Sequence, residues 1–454
     1  MEIEIISREY IKPSSPTPKH LRTHFICLLD QFAPPIYVTG IAFFAANYQG
    51  DSISSSKRSQ VLKQSLSKIL ALYYPLAGRI IDDTSIDCND EGAPYMVARC
   101  NCNLCDYLKQ PDLSTLSKFL PLEIINSKMT PGGHTAMFQE NLFACGGLAI
   151  GFAFPHNLFD GTSIFLFLKN WGTLARKGAV TQFPDFSTSY FFPQNSAFPQ
   201  DLTAKAVSRP LFGRQGNFVV RRFVFKGSVI SNLKDKATRL GVQKPTRVEV
   251  VVGLLFKCIM SASIAKSGSK NNKKYSALIS THVNLRRKAV PQLRETSVGN
   301  LLLLAGIEAY SEDTDLRSFV SQMRETLSPI NGDFVKSLQG DQGLQWLCEY
   351  LKKLRESYSK AFEECIVFNS WCNGGTNIID FGWGKNIWFP AVIFAKPGGA
   401  NLIQLVDTRM SNGIEAWVSL DEEIMSMVEN DQELLSMASV DPSPLEIDSL
   451  KSKL

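Results

Sequence analysis

One histidine in this 454-residue chain stands in a setting that suits acid–base chemistry. His156 directly follows the apolar run Leu148–Pro155, and Asp160 comes four residues later. An imidazole titrates near neutral pH, so it can take a proton from a hydroxyl group and return it later. The other histidines lack this setting, and they are His20, His24, His134 and His282. We therefore expect His156 to be a general base.

Asp160 has two interpretations at this stage. It could orient the imidazole, as the aspartate of a Ser-His-Asp triad does, or it could be a buried carboxylate that shapes the segment. The spacing alone does not decide, because with five histidines an H-x-x-x-D pattern arises by chance in roughly one such chain in four.

The elements around His156 are expected to hold it firmly. Residues 134–143 and 148–155 are predicted as apolar strands joined by a short turn. A helix is predicted to begin with its cap near Thr162 or Ser163. His156 then lies in a short crossover from a strand to a helix, a common place for reactive side chains.

The chain divides into two halves that each mix strands and helices. The first half has a predicted helix at 56–72 and a hairpin at 85–98, and residues 196–216 are expected to be a linker. In the second half, strands are predicted at 217–225, 275–283, 300–309, 387–395, 401–407 and 414–420, and helices at 229–240, 247–265, 314–327, 342–362 and 421–437. This pattern predicts a mixed α/β fold with domains at 1–195 and 217–454.

Composition narrows the class of protein. With 44% apolar and 20% charged residues the chain is expected to be globular, and a net charge of +5 is too small to indicate nucleic-acid binding. Ten cysteines are interpreted as reduced thiols. Cys100, Cys102 and Cys105, with Cys88 before them, lack the second pair that a zinc site needs, so we expect no metal.

The two ends bear on location. Residues 1–9 have neither the apolar core of a signal peptide nor the Arg-rich character of a transit peptide, and no unbroken run of 18 apolar residues follows. We therefore expect a cytoplasmic protein that does not contact a membrane. Ser452-Lys453-Leu454 matches the peroxisomal import tripeptide, so the peroxisome is the alternative location.

A set of short motifs extends over nearly the whole chain. They are 156–161 (HNLFDG), 380–385 (DFGWGK), 29–31 (LDQ), 74–79 (YPLAGR), 87–90 (DCND), 145–147 (CGG), 283–286 (VNLR), 299–300 (GN) and 415–417 (EAW). In order and spacing this set resembles the plant BAHD acyltransferases. The segment 11–18 (IKPSSPTP), together with 29–31, is most similar to the alkaloid-acylating branch of that family.

The resemblance implies a fold and a set of roles. The fold would be two chloramphenicol-acetyltransferase-like domains around a central solvent tunnel, with a segment near 380–395 crossing back to the first domain. His156 would be the general base, and the indole N–H of Trp371 would stabilise the oxyanion. Asp160 would pair with Arg286 and be structural. The DFGWG string would also be structural, through Asp380, Gly382 and Gly384.

The resemblance also implies the substrates. Acyl-CoA, with acetyl-CoA favoured, would be a co-substrate rather than a bound cofactor, and the acceptor would be a small-molecule alcohol of alkaloid type. Cofactor contacts are expected from Thr246 and Arg247 at a helix N-terminus and from Lys257. For the lysine loop at 266–274 a solvated surface is the favoured interpretation. We expect a monomer.

Three residues depart from the family pattern. Pro155 and Asn157 flank the histidine where the family usually has Ser and often Lys, and Asn369 stands where Ser or Thr is common. These changes retain the base and the indole but indicate an unusual pocket. Malonyl transfer, N-acylation, a hydrolase and a non-catalytic ligand-binding relative remain alternatives to O-acyl transfer.

Overall fold

The computed structural model describes residues 1–46, 54–121, 130–212, 215–268, 275–391, 399–409 and 412–447. Two expectations lie outside these ranges. They are the C-terminal tripeptide 452–454 and most of the lysine loop, including Lys270, Lys273 and Lys274.

The chain alternates between strands and helices throughout. The strands are β1 (Ile3–Ile11), β2 (Thr23–Phe25), β3 (Tyr37–Phe44), β4 (Arg79–Ile80), β5 (Ser85–Asp87), β6 (Ala93–Cys100), β7 (Met137–Phe143), β8 (Leu148–Pro155), β9 (Phe218–Phe225), β10 (Ser276–Asn284), β11 (Leu302–Tyr310), β12 (Glu364–Ser370), β13 (Asn401–Asp407), β14 (Ile414–Asp421) and β15 (Ser439–Val440). The α-helices are α1 (Leu28–Phe32), α2 (Ser55–Leu72), α3 (Leu104–Lys109), α4 (Gly161–Ala175), α5 (Thr188–Phe191), α6 (Ala204–Val207), α7 (Gly227–Arg239), α8 (Arg247–Ser267), α9 (Leu316–Leu327), α10 (Gly332–Ser337), α11 (Gly343–Tyr358), α12 (Glu422–Val428) and α13 (Gln432–Met437).

The first half is built on a five-stranded sheet with the order β1-β6-β7-β8-β3. Its pairs are antiparallel except for β6 and β7, which are parallel. Every residue of β8 is buried, as its unbroken apolar sequence predicts. The helix α4 follows β8 and packs against α2. Its N-cap is Asp160, whose carboxylate accepts a hydrogen bond from the Ser163 backbone, so the predicted cap at Thr162 or Ser163 is wrong.

The second half is built on a seven-stranded sheet with the order β11-β10-β12-β13-β14-β9-β15. The three strands β10, β12 and β13 are mutually parallel. Their carboxyl ends therefore lie at one edge of the sheet, which is where parallel sheets commonly present ligand-binding side chains. The helix α8 packs between α7, α9 and α12 on this sheet.

The helix α8 is long and apolar enough to span a membrane. In this fold 72% of its apolar 18-residue window is buried within the protein. Its side chains, including Val250, Leu255 and Ile259, belong to the hydrophobic core of the second half. The helix is therefore explained as a core helix.

Residues 196–216, the predicted linker, contain regular structure that the sequence did not predict. Over its described part the stretch forms short helical segments, among them α6, and it buries Phe198, Leu202, Val207 and Leu211. These side chains share a hydrophobic cluster with residues of β10, β11 and α11. Burial of apolar surface holds the stretch against the second half.

Three other predicted elements differ from the structure. The hairpin at 85–98 does not form, because β5 pairs with β2 and β4 whereas β6 joins the large sheet between β1 and β7. The helix predicted at 421–437 is two helices, α12 and α13. The strand predicted at 387–395 is described only to residue 391, and there it makes a single bridge to β3.

That bridge connects the late part of the chain to the first sheet. The backbone N–H of Phe43 donates to the Trp388 carbonyl at 2.9 Å, and the N–H of Ile387 donates to the Phe43 carbonyl at 2.7 Å. Trp388 also stacks on Phe43 with ring centroids 5.4 Å apart. A segment that follows the second-half strand β12 therefore packs into the first half. The boundaries 1–195, 196–216 and 217–454 themselves remain a prediction.

Candidate active site

A cavity of about 550 Å³ lies between the two halves and is lined by residues of both. The first half contributes His156 and the first turns of α4, and the second half contributes the ends of β10 and β12 and the loop after β12. The polar and aromatic lining residues that matter below are His156, Phe165, His282, Arg287, Glu295, Asn369 and Trp371. The position of His156 at this cavity brings it within reach of a bound small molecule.

The main chain and Asn300 hold His156. Its backbone N–H donates to the Ile36 carbonyl at 2.7 Å, and its Nδ1 lies 2.9 Å from Oδ1 of Asn300. The Asn300 amide nitrogen donates to the His156 carbonyl oxygen and to Oδ1 of Asp30, both of which are acceptors only. The amide oxygen must therefore face the ring, so Nδ1 carries the proton and Nε2 keeps its lone pair.

Asn300 is anchored in turn by a buried carboxylate. Oδ1 of Asp30 accepts from the Asn300 backbone N–H at 2.6 Å, and Oδ2 accepts from the Cys27 backbone N–H at 2.8 Å. Burial raises the pKa of Asp30 to about 6, and its hydrogen bonds with Asn300 and Cys27 work in the opposite direction. The series Asp30, Asn300, His156 connects the first helix of the chain to the reactive ring.

The protonation state of His156 suits a base. Removal from water lowers the pKa of His156 below its ordinary value, while its hydrogen bond with Asn300 and the charge of Asp160 partly oppose this shift. A lowered pKa means that the ring is neutral at pH 7. Its Nε2 can then accept a proton.

Asp160 does not contact the His156 ring through a hydrogen bond. Its two oxygens accept from the Arg286 guanidinium at 2.6 and 3.1 Å, and both side chains are 0% exposed. Arg286 also donates to the carbonyls of Ser297 and Gly299. The ion pair implied by the family resemblance is present, and it ties the start of α4 to the second half.

Trp371 comes from the second half of the chain, directly after β12, and lines the same cavity as His156. Its backbone N–H donates to Leu405 at 2.8 Å, and its indole packs edge-on against Phe165 with ring centroids 5.7 Å apart. A side chain on Gly161 would place its Cβ only 3.3 Å from the indole Nε1, so the indole would have to shift by a few tenths of an ångström to accept it. No hydrogen bond joins this indole N–H to another described residue, which leaves it available at the cavity that Trp371 lines.

Of the predicted cofactor contacts, Arg247 lies near the cavity, whereas Lys257 does not line it. Thr246 and Glu249 form a capping box that uses the Thr246 hydroxyl, and Arg247 pairs with Asp407 at 2.9 Å. Arg247 also donates to Asn373, a lining residue, so it lies near the cavity. Lys257 instead pairs with Glu433 and does not line the cavity, so the structure does not support a cofactor contact there.

The DFGWG string lies away from the cavity lining. The Asp380 carboxylate accepts from the backbone N–H groups of Gly382 and Gly384 at 2.8 and 3.2 Å, and both glycines have positive φ. Phe381 packs edge-on against Trp171 of α4, with centroids 4.8 Å apart. This turn buttresses the helix that follows the histidine.

A family model described as the Transferase family matches residues 1–435. Epi-neemfruitin B 7-O-acetyltransferase of Melia azedarach is 43% identical over 98% of this chain and 100% of its own length. This chain belongs to the BAHD acyltransferase family.

Further similarities agree with this assignment. Stemmadenine O-acetyltransferase of Catharanthus roseus is 32% identical, over 94% of this chain and 96% of its own. The crystal structure of vinorine synthase superposes with a TM-score of 0.78 at 31% identity, and the match covers 96% of this chain and 99% of that one. The predicted fold and the predicted enzyme class, an acyl-CoA-dependent BAHD acyltransferase, are confirmed.

Sequence reasoning missed two residues of this BAHD site. Asn300 was part of a matched motif but had no predicted role, although it is the residue that orients the His156 ring. His282 was set aside because it lacks a strand-to-helix setting, yet it lines the same cavity. The signal that could have found His282 is its place near the carboxyl end of the strand predicted at 275–283, because ligand-binding side chains are common at strand ends of α/β sheets.

Proposed function

We propose that this protein transfers an acetyl group from acetyl-CoA to a hydroxyl of a plant metabolite, with His156 as the base. Nε2 takes the hydroxyl proton while the oxygen attacks the thioester carbonyl. The indole N–H of Trp371 donates to the oxyanion of the tetrahedral intermediate. The intermediate expels the CoA sulfur, which takes the proton from the imidazolium, so that the products are an ester and free CoA.

The observation that carries this proposal is the fixed tautomer of His156. Asn300 holds the Nδ1–H, and the lone pair of Nε2 is left for a substrate hydroxyl at the cavity. A base with a pKa below its usual value remains unprotonated at pH 7 and is ready before the substrate binds.

The charge of the cavity bears on the acceptor. Its charged described lining residues are Lys169, Arg287 and Glu295, and the only carboxylate among them, Glu295, is paired with Arg287 at 2.7 Å. An alkaloid ammonium would find no free carboxylate among these residues, whereas a neutral alcohol needs none. We therefore propose a neutral polycyclic alcohol of limonoid type, which agrees with the 42% identity to a limonoid 7-O-acetyltransferase of Citrus sinensis over 98% of this chain.

An alkaloid alcohol is the second candidate acceptor. It is supported by the stemmadenine O-acetyltransferase relative and by the similarity to vinorine synthase. The charge of the described lining ranks it below the neutral alcohol, because the imbalance there is one positive charge.

The test is a set of parallel incubations read by product mass. Purified protein is combined with acetyl-CoA or malonyl-CoA and with 7-hydroxylated limonoids, alkaloid alcohols or alkaloid amines. We expect acetyl esters of the limonoid alcohols. Absence of any ester or amide, or release of CoA at a rate independent of the acceptor, contradicts acyl transfer, and the latter supports a hydrolase. His156→Ala should abolish product, whereas His20→Ala, at an exposed histidine, should not change its formation.

A further inference from the structure

A second histidine faces the catalytic cavity from the other half of the molecule. His282 lies on β10, the second strand of the seven-stranded sheet, between β11 and β12. Its neighbours in the chain, Thr281 and Val283, are buried, but its own side chain is exposed. Since His282 is a lining residue, the exposure of its ring is toward the cavity.

The ring of His282 is held by an asparagine, as the ring of His156 is. Its Nδ1 lies 2.7 Å from Oδ1 of Asn369, at the end of the adjacent parallel strand β12. An amide oxygen is an acceptor only, so Nδ1 carries the proton and Nε2 keeps its lone pair. The ring faces only the cavity between the two halves, and this separation from bulk water lowers the pKa of His282 to about 4, which leaves the ring neutral at pH 7.

The mechanism proposed above has no use for this acceptor atom. His156 alone takes the proton of the reacting hydroxyl, and Trp371 serves the oxyanion. The two imidazoles are close enough for the charge of His156 to act on the pKa of His282. A molecule that presents its hydroxyl to His156 therefore extends toward His282. Around His282 the lining includes Asn284 and Gln404 as well as the apolar Leu302.

We propose that His282 recognises a second hydroxyl of the acceptor, accepting its hydrogen bond at Nε2, so that the preferred acceptor is a neutral diol. This rests on the proposed function and deepens it. A cavity residue that accepts a hydrogen bond selects against an analogue that lacks the donor, because the buried acceptor atom is then left unpaired. Asn369 is a positioning residue that keeps Nε2 directed at the ligand.

The experiment compares two acceptors in several variants. The probes are a tetracyclic triterpenoid diol and its monodeoxy analogue, which keeps only the acetylated hydroxyl, each with acetyl-CoA. We expect wild type to favour the diol in kcat/KM by about tenfold, the size of one neutral hydrogen bond. His282→Phe, which keeps a ring but no nitrogen, should reduce this ratio to near one, mainly through the KM of the diol. His282→Gln, whose carbonyl can accept, should keep most of it.

Controls separate this proposal from the proposed function. His20→Phe makes the same chemical change at an exposed position and should leave both kcat/KM values unchanged. His282→Ala carries the test if circular dichroism shows that the phenylalanine variant is unfolded. A diol preference that survives His282→Phe and His282→Ala overturns the proposal, as does equal use of both acceptors by wild type. A rise only in the KM of acetyl-CoA also overturns it. In these three outcomes acetyl transfer itself stands, whereas no transfer by wild type to either alcohol overturns the proposed function and this proposal with it.

Discussion

Two polar clusters flank the short crossover between β8 and α4, and they differ in whether a polar atom is left free at the cavity. In the first, Asp30, Asn300 and His156 form a series of hydrogen bonds that ends in a free Nε2 at the cavity. In the second, Asp160 and Arg286 are 0% exposed, and all three guanidinium nitrogens donate to described acceptors.

Within this one motif, His156 therefore has the proposed chemical role and Asp160 has a structural role. His156 and Asp160 are four residues apart, yet only the histidine retains an unused polar atom where a ligand can reach it. A cluster without a free atom can only hold the structure together. The following experiments are ordered by the size of the expected effect.

His156→Ala should give the largest loss of activity and little loss of stability. A positioned general base contributes about 10² to 10⁴ in rate, so kcat/KM should fall by that factor. Because the side chain lies at the cavity rather than in the core, the melting temperature should change little. Steady-state kinetics and thermal denaturation measure the two quantities, and a variant with the wild-type rate would exclude His156 as the base.

Asp160→Ala should have the opposite pattern of effects, with a large loss of stability and a smaller direct effect on the chemistry. It leaves the Arg286 guanidinium buried without its counter-charge, which costs about 3–5 kcal/mol in the free energy of unfolding. It also removes the N-cap of α4, a further loss of about 1 kcal/mol. Urea denaturation measures the change.

A paired substitution checks the origin of that loss. Asp160→Asn with Arg286→Met removes both charges and keeps a capping side chain, so it should recover part of the stability. If Asp160→Ala is as stable as wild type but inactive, Asp160 takes part in the chemistry and the comparison between the clusters fails.

Trp371→Phe tests the group proposed to meet the oxyanion. Phenylalanine keeps an aromatic ring against Phe165 but has no N–H to donate. Loss of one oxyanion donor lowers kcat by about 10², and we expect the KM values to change much less. The kinetics of Trp383→Phe, at a tryptophan outside the cavity lining, should match those of wild type.

Asn300→Ala should have the smallest effect on rate and a distinctive effect on pH dependence. The hydrogen bond of Asn300 raises the pKa of His156, and burial lowers it below the ordinary value near 6.5. Activity needs the neutral ring, so kcat/KM of wild type should be constant near neutral pH and fall only as the pH drops through the lowered pKa. Without Asn300 that pKa falls further, and the acid limb moves to lower pH.

The rate of the same variant should fall about tenfold, because the ring is no longer held in one orientation. The pH profile of kcat/KM separates this from a general loss of structure, which would lower the rate at every pH and leave the acid limb in place. An acid limb that moves to higher pH would contradict the assigned hydrogen bond.

Much of the fold could be predicted because local patterns carry it. The apolar run of β8 and the amphipathic α2 form as expected, because the spacing of apolar residues within one segment indicates a strand or a helix. The hairpin at 85–98 failed because the choice of partner strand depends on distant segments. The short helical segments within residues 196–216 were not predicted, because the apolar side chains there have no regular spacing. These side chains are buried by packing against β10 and β11, which lie far away in the sequence.

For the site, the sequence by itself determined which groups could react. His156 was found from its residue type and its position after β8, and Asp160, Arg286 and Trp371 from motifs that resemble a family. The family resemblance implied that Asp160 meets Arg286, and the tertiary structure decided the other contacts. Asn300 and Asp30 lie 270 positions apart in the chain and still form two hydrogen bonds beside His156. His282 reaches the same cavity because two sheets close around it, and no local pattern encodes that approach.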